Sequence, residues 1–167
     1  MDGRVKYVIV KIILWLILII PWLSLLLLNK KDVKRFMPVG ILASFIMVLY
    51  NLVAYHHQHW EINVSIIPSL NPAFASGVLG AFLVVTIWIF TFSFGHFWKY
   101  LLVNVIADFL FTVFPFHYIF QEVLGIYKLI DISTWERWGL FVTMSVVIYG
   151  YQLWQEEVLL AGYQSGK

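Results

Sequence analysis

The sequence contains no cysteine, and only 12% of its 167 residues are charged. The first absence excludes disulfides, thiolate metal sites, iron–sulfur ligation and cysteine nucleophiles. The second excludes an ordinary water-facing exterior, because soluble domains carry about 25% charged and about 45–50% apolar residues. Here the apolar share is 62% and the aromatic share 19%. Net charge is only +2, and the basic residues form no long tract. A nucleic-acid-binding face is therefore absent. A transmembrane β-barrel would need alternating strands of about 10 residues, whereas this chain has long, continuous apolar blocks. It reads as an all-α, polytopic membrane protein.

The apolar blocks predict a five-transmembrane-helix bundle within a single transmembrane domain, residues 1–167, with helices near 7–28, 36–55, 72–94, 100–120 and 138–154. The first block begins beside Lys6 and Lys11 and resembles a signal peptide. No small-x-small cleavage signal follows it, only Asn29-Lys30-Lys31-Asp32, so it is expected to remain as an uncleaved helix. Ile12–Leu28 is slightly short for a hydrocarbon core of about 30 Å, and extension to Tyr7 with Lys11 snorkelling restores the length. Pro21 removes the usual donor to the Ile17 carbonyl. In the second block Pro38 is expected near the helix start, where a missing N–H costs nothing.

Asn71-Pro72 reads as a cap and first turn for the third helix. Ala73, Gly77 and Ala81 recur at i, i+4, as do Ser76 and Gly80. Such faces permit close helix–helix approach, although small residues are also common in membrane spans generally. Pro115 is expected to bend the far end of the fourth helix. Leu124–Ile132 reads as a short interfacial segment, and Ser133 or Thr134 as the cap of the fifth helix. Trp60, Trp98, Trp135, Trp138 and Trp154 fall near the expected span ends, the pattern of an aromatic belt.

An odd number of spans puts the termini on opposite sides. The densest positive segment, Lys30, Lys31, Lys34 and Arg35, is expected in the cytoplasm. The N-terminus is then outside and the C-terminus cytoplasmic, in a multi-pass protein of the plasma membrane. The overall Lys and Arg tally is nearly even between the sides, so the dense loop carries this assignment.

Polar chemistry concentrates in two places. Of the five histidines, His56, His57 and His59 cluster next to Glu61. His56 and His59 are spaced i, i+3, and His57 and Glu61 i, i+4, so each pair can share a helix face. Neutral imidazoles with a carboxylate suit a divalent metal such as zinc or iron. A His-rich helix exit at the lipid headgroups explains the run equally well. Neither His-Glu-x-x-His nor a Glu-x-x-His repeated on two helices is present. Alternation of spans puts the ends of the second and fourth on one side. His56, His57, His59, Glu61, His117 and Glu122 are thereby candidates for one polar mouth, and His96 belongs to the opposite side.

Asp108 lies near the middle of the fourth span without an adjacent Lys or Arg. A charged Asp at that depth costs about 2.5–3.5 kcal/mol on insertion scales. It must face the bundle interior, be protonated, or meet water or a cation. Asn104 and Thr112 sit one turn to either side, and Asn51 of the second span is a candidate to join this stripe. Ligand binding, proton transfer and ion coordination are the functional readings; a buried, helix-locking hydrogen bond is the structural one. Ser93 and His96 are close in sequence but lack an orienting acid, so they do not form a catalytic triad. Gly77 and Gly80 lack the lysine of a nucleotide-binding loop.

Trp60 with Ile67-Pro68-Ser69-Leu70-Asn71-Pro72, then Phe97-Trp98-Lys99-Tyr100, Gly125-Ile126-Tyr127-Lys128 and Tyr151-Gln152-Leu153-Trp154, form loose positional patterns from Trp60 onwards. In these the chain resembles the small, uncharacterised multi-spanning membrane proteins of spore-forming Firmicutes. The resemblance implies a five-helix topology and a Gram-positive plasma membrane. It carries no activity, and the His-rich run has no place in it.

The residues together favour an integral membrane protein that binds a small ligand, lipid or partner protein through an intramembrane polar cleft around Asp108. The alternatives are a metal-dependent membrane enzyme acting on a lipid or quinone-like substrate, and an oligomeric ion or proton-coupled transporter. Expected partners are membrane lipids and a second copy or another membrane protein, with no nucleic acid.

Overall fold

The computed structural model describes the backbone of residues 3–165 and the side chains of residues 3–158. The two chain ends, to which the sidedness assignment refers, lie outside these residues. The chain is mostly helical. Helix α1 is Gly3–Ser24, prolonged by a 3-10 turn at Leu25–Leu27; α2 is Lys30–His56; α3 is Leu83–Ser93, entered through a π-helical turn at Gly77–Phe82; α4 is Phe97–Thr112; α5 is the short Phe116–Tyr118, followed by a π-helical turn at Ile119–Val123; and α6 is Thr134–Ser165. Three segments, Gly3–Leu27, Lys30–His56 and Phe97–Val123, are long and apolar enough to cross a membrane, and Gly77–Ser93 is a shorter apolar helix.

Several boundaries differ from those expected. α2 begins at Lys30 rather than near Phe36, because Asn29 caps it by accepting from the Lys31 N–H at 2.9 Å. Pro38 therefore lies inside the helix, and the Lys34 carbonyl loses its helical donor. The third helix does not open at Asn71-Pro72. Pro68–Leu70 is a 3-10 turn, and the Asn71 side chain donates instead to the Ile62 carbonyl at 3.4 Å. The fourth helix stops at Thr112, and the chain restarts as α5 after Pro115. α6 is capped by Ser133, whose N–H and hydroxyl donate to Glu136 while the Glu136 N–H donates back.

The fold is all-α in the main, as expected, with one short ladder added. The segment read as interfacial contains β2, Tyr127–Leu129, antiparallel to β1, Trp60–Ile62, with Glu61 opposite Lys128. A three-residue strand is invisible to periodicity; only the chain reversal that brings these segments together gives its backbone partners.

The long helices run alternately up and down. Arg35 near the start of α2 reaches Glu156 near the end of α6, at 2.6 Å. The Tyr100 hydroxyl donates to the Ser145 carbonyl, and Trp138 Nε1 donates to the Val105 carbonyl, so α4 and α6 are antiparallel. Small residues set the closest approaches. A Cβ on Gly80 would lie 2.5 Å from the Ile17 carbonyl oxygen of α1, and one on Gly40 would lie 3.2 Å from the Leu83 carbonyl oxygen. The π-helical turn exposes carbonyls as well: Val78 accepts from Ser44, and Leu79 from Trp22 Nε1. Packing and such hydrogen bonds, not exclusion of water, hold helices together in lipid.

Tilted aromatic rings fill the centre. Phe90 and Tyr149 each lie within 5 Å of Tyr100 by ring centroid (4.8 and 4.7 Å). Of the expected aromatic belt, Trp98, Trp135 and Trp154 are exposed. Trp60 is buried, and Trp138 is half-buried against α4.

Candidate functional site

Asp108 occupies the bundle-facing side of α4. Along this helix Trp98, Leu102, Ile106 and Leu110 are exposed, whereas Asn104 and Thr112 are buried. The helical period therefore turns the Asn104–Asp108–Thr112 stripe inward. Asn104 Nδ2 donates to the Tyr100 carbonyl at 2.9 Å, and Thr112 Oγ1 donates to the Asp108 carbonyl at 2.7 Å. These bonds stay within α4 and do not reach Asp108 Oδ2, which is buried and has no hydrogen-bond partner. Asn51 is engaged elsewhere. Its Nδ2 donates to the Met47 carbonyl and its Oδ1 accepts from Trp60 Nε1.

The other buried side-chain atoms without partners, among the described residues, are Arg137 Nε, Gln152 Oε1 and Gln155 Oε1, all on α6. Among the described residues, unsatisfied buried side-chain polarity is thus confined to α4 and the helix that packs along it. In a bilayer such groups are costly, because lipid offers no donor or acceptor.

The six candidate metal ligands lie at one end of the bundle, joined by the β1–β2 pairing, but they separate into sets. His56 and His57 are exposed, with ring centroids 5.4 Å apart. The His59 Nδ1 is 3.1 Å from the Tyr50 hydroxyl. Glu61 is exposed on β1, and Glu122 accepts from Gln121 Nε2 at 2.9 Å. His117 belongs to a different group. Its Nδ1 is 2.9 Å from the Tyr127 hydroxyl and 3.1 Å from Arg137 Nη2. Among the described residues, no three His, Asp or Glu side chains are grouped so that they could hold a metal ion.

Arg137 is the residue that the sequence reading missed. It is only 4% exposed. Its Nη2 also donates to the Thr112 carbonyl at 2.6 Å, and its guanidinium lies 5.1 Å from the Tyr127 ring centroid. Thr112 is the last residue of α4, so Arg137 caps a carbonyl that the helix leaves open. Burial pushes the Tyr127 hydroxyl above its ordinary pKa, an effect that the Arg137 charge partly offsets. The signal available in the sequence is a lone arginine between Trp135 and Trp138, one turn into a helix.

Two grooves, of about 680 and 330 Å³, lie between α2 and α6; neither is lined by Asp108 or by the histidines. The chain matches no protein-family model, no curated protein and no solved structure.

Proposed function

We propose that this chain is an integral membrane protein that crosses the plasma membrane five times and binds a small ligand through the polar seam between α4 and α6, centred on Asp108. The observation that carries the reading is the buried, unpartnered Oδ2 of Asp108 on the inward face of an apolar helix. A carboxylate oxygen in that position accepts a hydrogen bond or meets a cationic group, so the ligand is one that presents a donor or a positive charge. The up-and-down helix order supports five crossings, with α3 and α6 added to the three long apolar segments. In this reading the Lys30–Arg35 end is cytoplasmic, and the resemblance to membrane proteins of spore-forming Firmicutes supports a Gram-positive host. The two grooves lie away from Asp108, which favours binding over turnover of a bulky lipid or quinone-like substrate.

Native mass spectrometry of the protein released from its own membranes tests the site. Wild type is expected to carry a small-molecule mass that Asp108→Asn lacks while melting at the wild-type temperature. A well-folded Asp108→Asn variant with the same bound mass, or a wild type with none, would sink the reading.

A further inference from the structure

We propose a second site apart from Asp108: an anionic glycerophospholipid held in the groove between α2 and α6, with its phosphate on Lys34 and an acyl chain along Met37, Ile41 and Phe45. The proposal rests on membrane placement of the chain but not on the Asp108 reading.

Three features support this occupant. The first is length. The larger groove follows α2 from Val33 to Phe45 and is flanked on α6 by Tyr151. At 1.5 Å per residue that stretch is about 18 Å long, close to half of a hydrocarbon core of about 30 Å. It accommodates one acyl chain in one leaflet.

The second feature is charge. Lys34 is the groove's charged lining residue and stands at its end. Lys30 and Lys31 are exposed in the preceding turn, with Asp32 between them and Lys34. Arg35 is held by both carboxylate oxygens of Glu156, at 2.6 and 2.9 Å. That pair ties α2 to α6 beside the groove and neutralises itself, so the lysines give the groove mouth its positive charge. A phosphate at headgroup depth complements them.

The third feature is Pro38. It also lines the groove, and it leaves the Lys34 carbonyl without a helical donor. A headgroup hydroxyl can donate there while the phosphate meets the ammonium group. This favours a glycerol headgroup over a choline headgroup, which is zwitterionic and has no hydroxyl.

The test is lipid titration of the delipidated full chain, read by native mass spectrometry, with phosphatidylglycerol and phosphatidylcholine of identical acyl chains. Phosphatidylglycerol should be retained at least about fivefold better, the factor expected from one lysine at an anionic headgroup. Lys34→Glu should abolish the preference and Lys34→Arg should keep it. Leu42→Trp, which fills the groove, should reduce retention of both lipids. Asp108→Asn should leave the preference intact, so failure of the Asp108 site and failure of this one are distinguishable. Equal retention of the two lipids by wild type would overturn the proposal. A preference as sensitive to Lys31→Glu as to Lys34→Glu would overturn it too, by showing diffuse surface charge. So would efficient disulfide cross-linking of Ile41→Cys between copies in the native membrane, since a second copy would then cover the groove.

Discussion

The carbonyl oxygen of Ile17 lies 2.5 Å from the point that a Cβ on Gly80 would occupy. Pro21 takes the helical donor from that carbonyl, and Gly80 lets α1 come close enough to press against it. Two residues singled out for separate reasons, a proline inside one helix and a glycine in a small-residue stripe of another, thus bear on the same carbonyl, that of Ile17. Gly80→Ala is expected to destabilise the protein by about 1–3 kcal/mol, the usual cost of overpacking. Gly139→Ala is the control, because nothing lies within 4 Å of its Cβ position. Thermal melting in detergent, followed by tryptophan fluorescence, compares the two. Equal midpoints would mean that α1 does not pack on the π-helical turn.

Arg137 joins the end of α4 to α6 and to the loop after it. Arg137→Lys keeps the charge but loses the planar guanidinium that holds Nη2 in place between the Thr112 carbonyl and His117 Nδ1. A loss of about 1–3 kcal/mol is expected. Tyr127→Phe removes the hydroxyl that meets His117 and interacts with Arg137, and should cost about 1 kcal/mol. A lysine variant as stable as wild type would show that charge alone suffices there.

Glu136 supplies a dependence on pH. The hydrogen bonds from Ser133 hold its carboxyl below the ordinary glutamate range. A depressed folded-state pKa means stability that is present above the unfolded value and is lost as pH falls through the folded one. The melting temperature should therefore drop on acidification below the ordinary glutamate range. Glu136→Gln should remove that part of the acid sensitivity. An unchanged acid profile in the variant would mean that the capping box contributes nothing measurable.

Sidedness is testable without background, since the chain has no cysteine. Asn29→Cys sits in the turn between α1 and α2, and Ser69→Cys in the exposed loop after β1. A membrane-impermeant maleimide added to intact cells should label Ser69→Cys, and should reach Asn29→Cys only after permeabilisation. The reverse pattern would invert the orientation. Labelling of both from outside would break the five-crossing topology.

Composition and spacing alone establish that the chain is helical and apolar, and that Asn104, Asp108 and Thr112 share a helix face. These follow from composition and the 3.6-residue period, which each segment carries within itself. Tertiary structure decided what depends on distant partners. Asn71-Pro72 has the local look of a helix start, yet it serves the loop that lies against Ile62. Tyr127 became a strand residue because Ile62 lies opposite it in the β1–β2 ladder. His117 was grouped by sidedness with His56 and His59, but hydrogen bonding places it with Tyr127 and Arg137. Arg137 has nothing in its local sequence to mark it as buried; the open carbonyl of Thr112 and the Tyr127 ring make it so. Periodicity assigns a residue to a helix face; only the packed neighbours decide whether its polar atoms are satisfied.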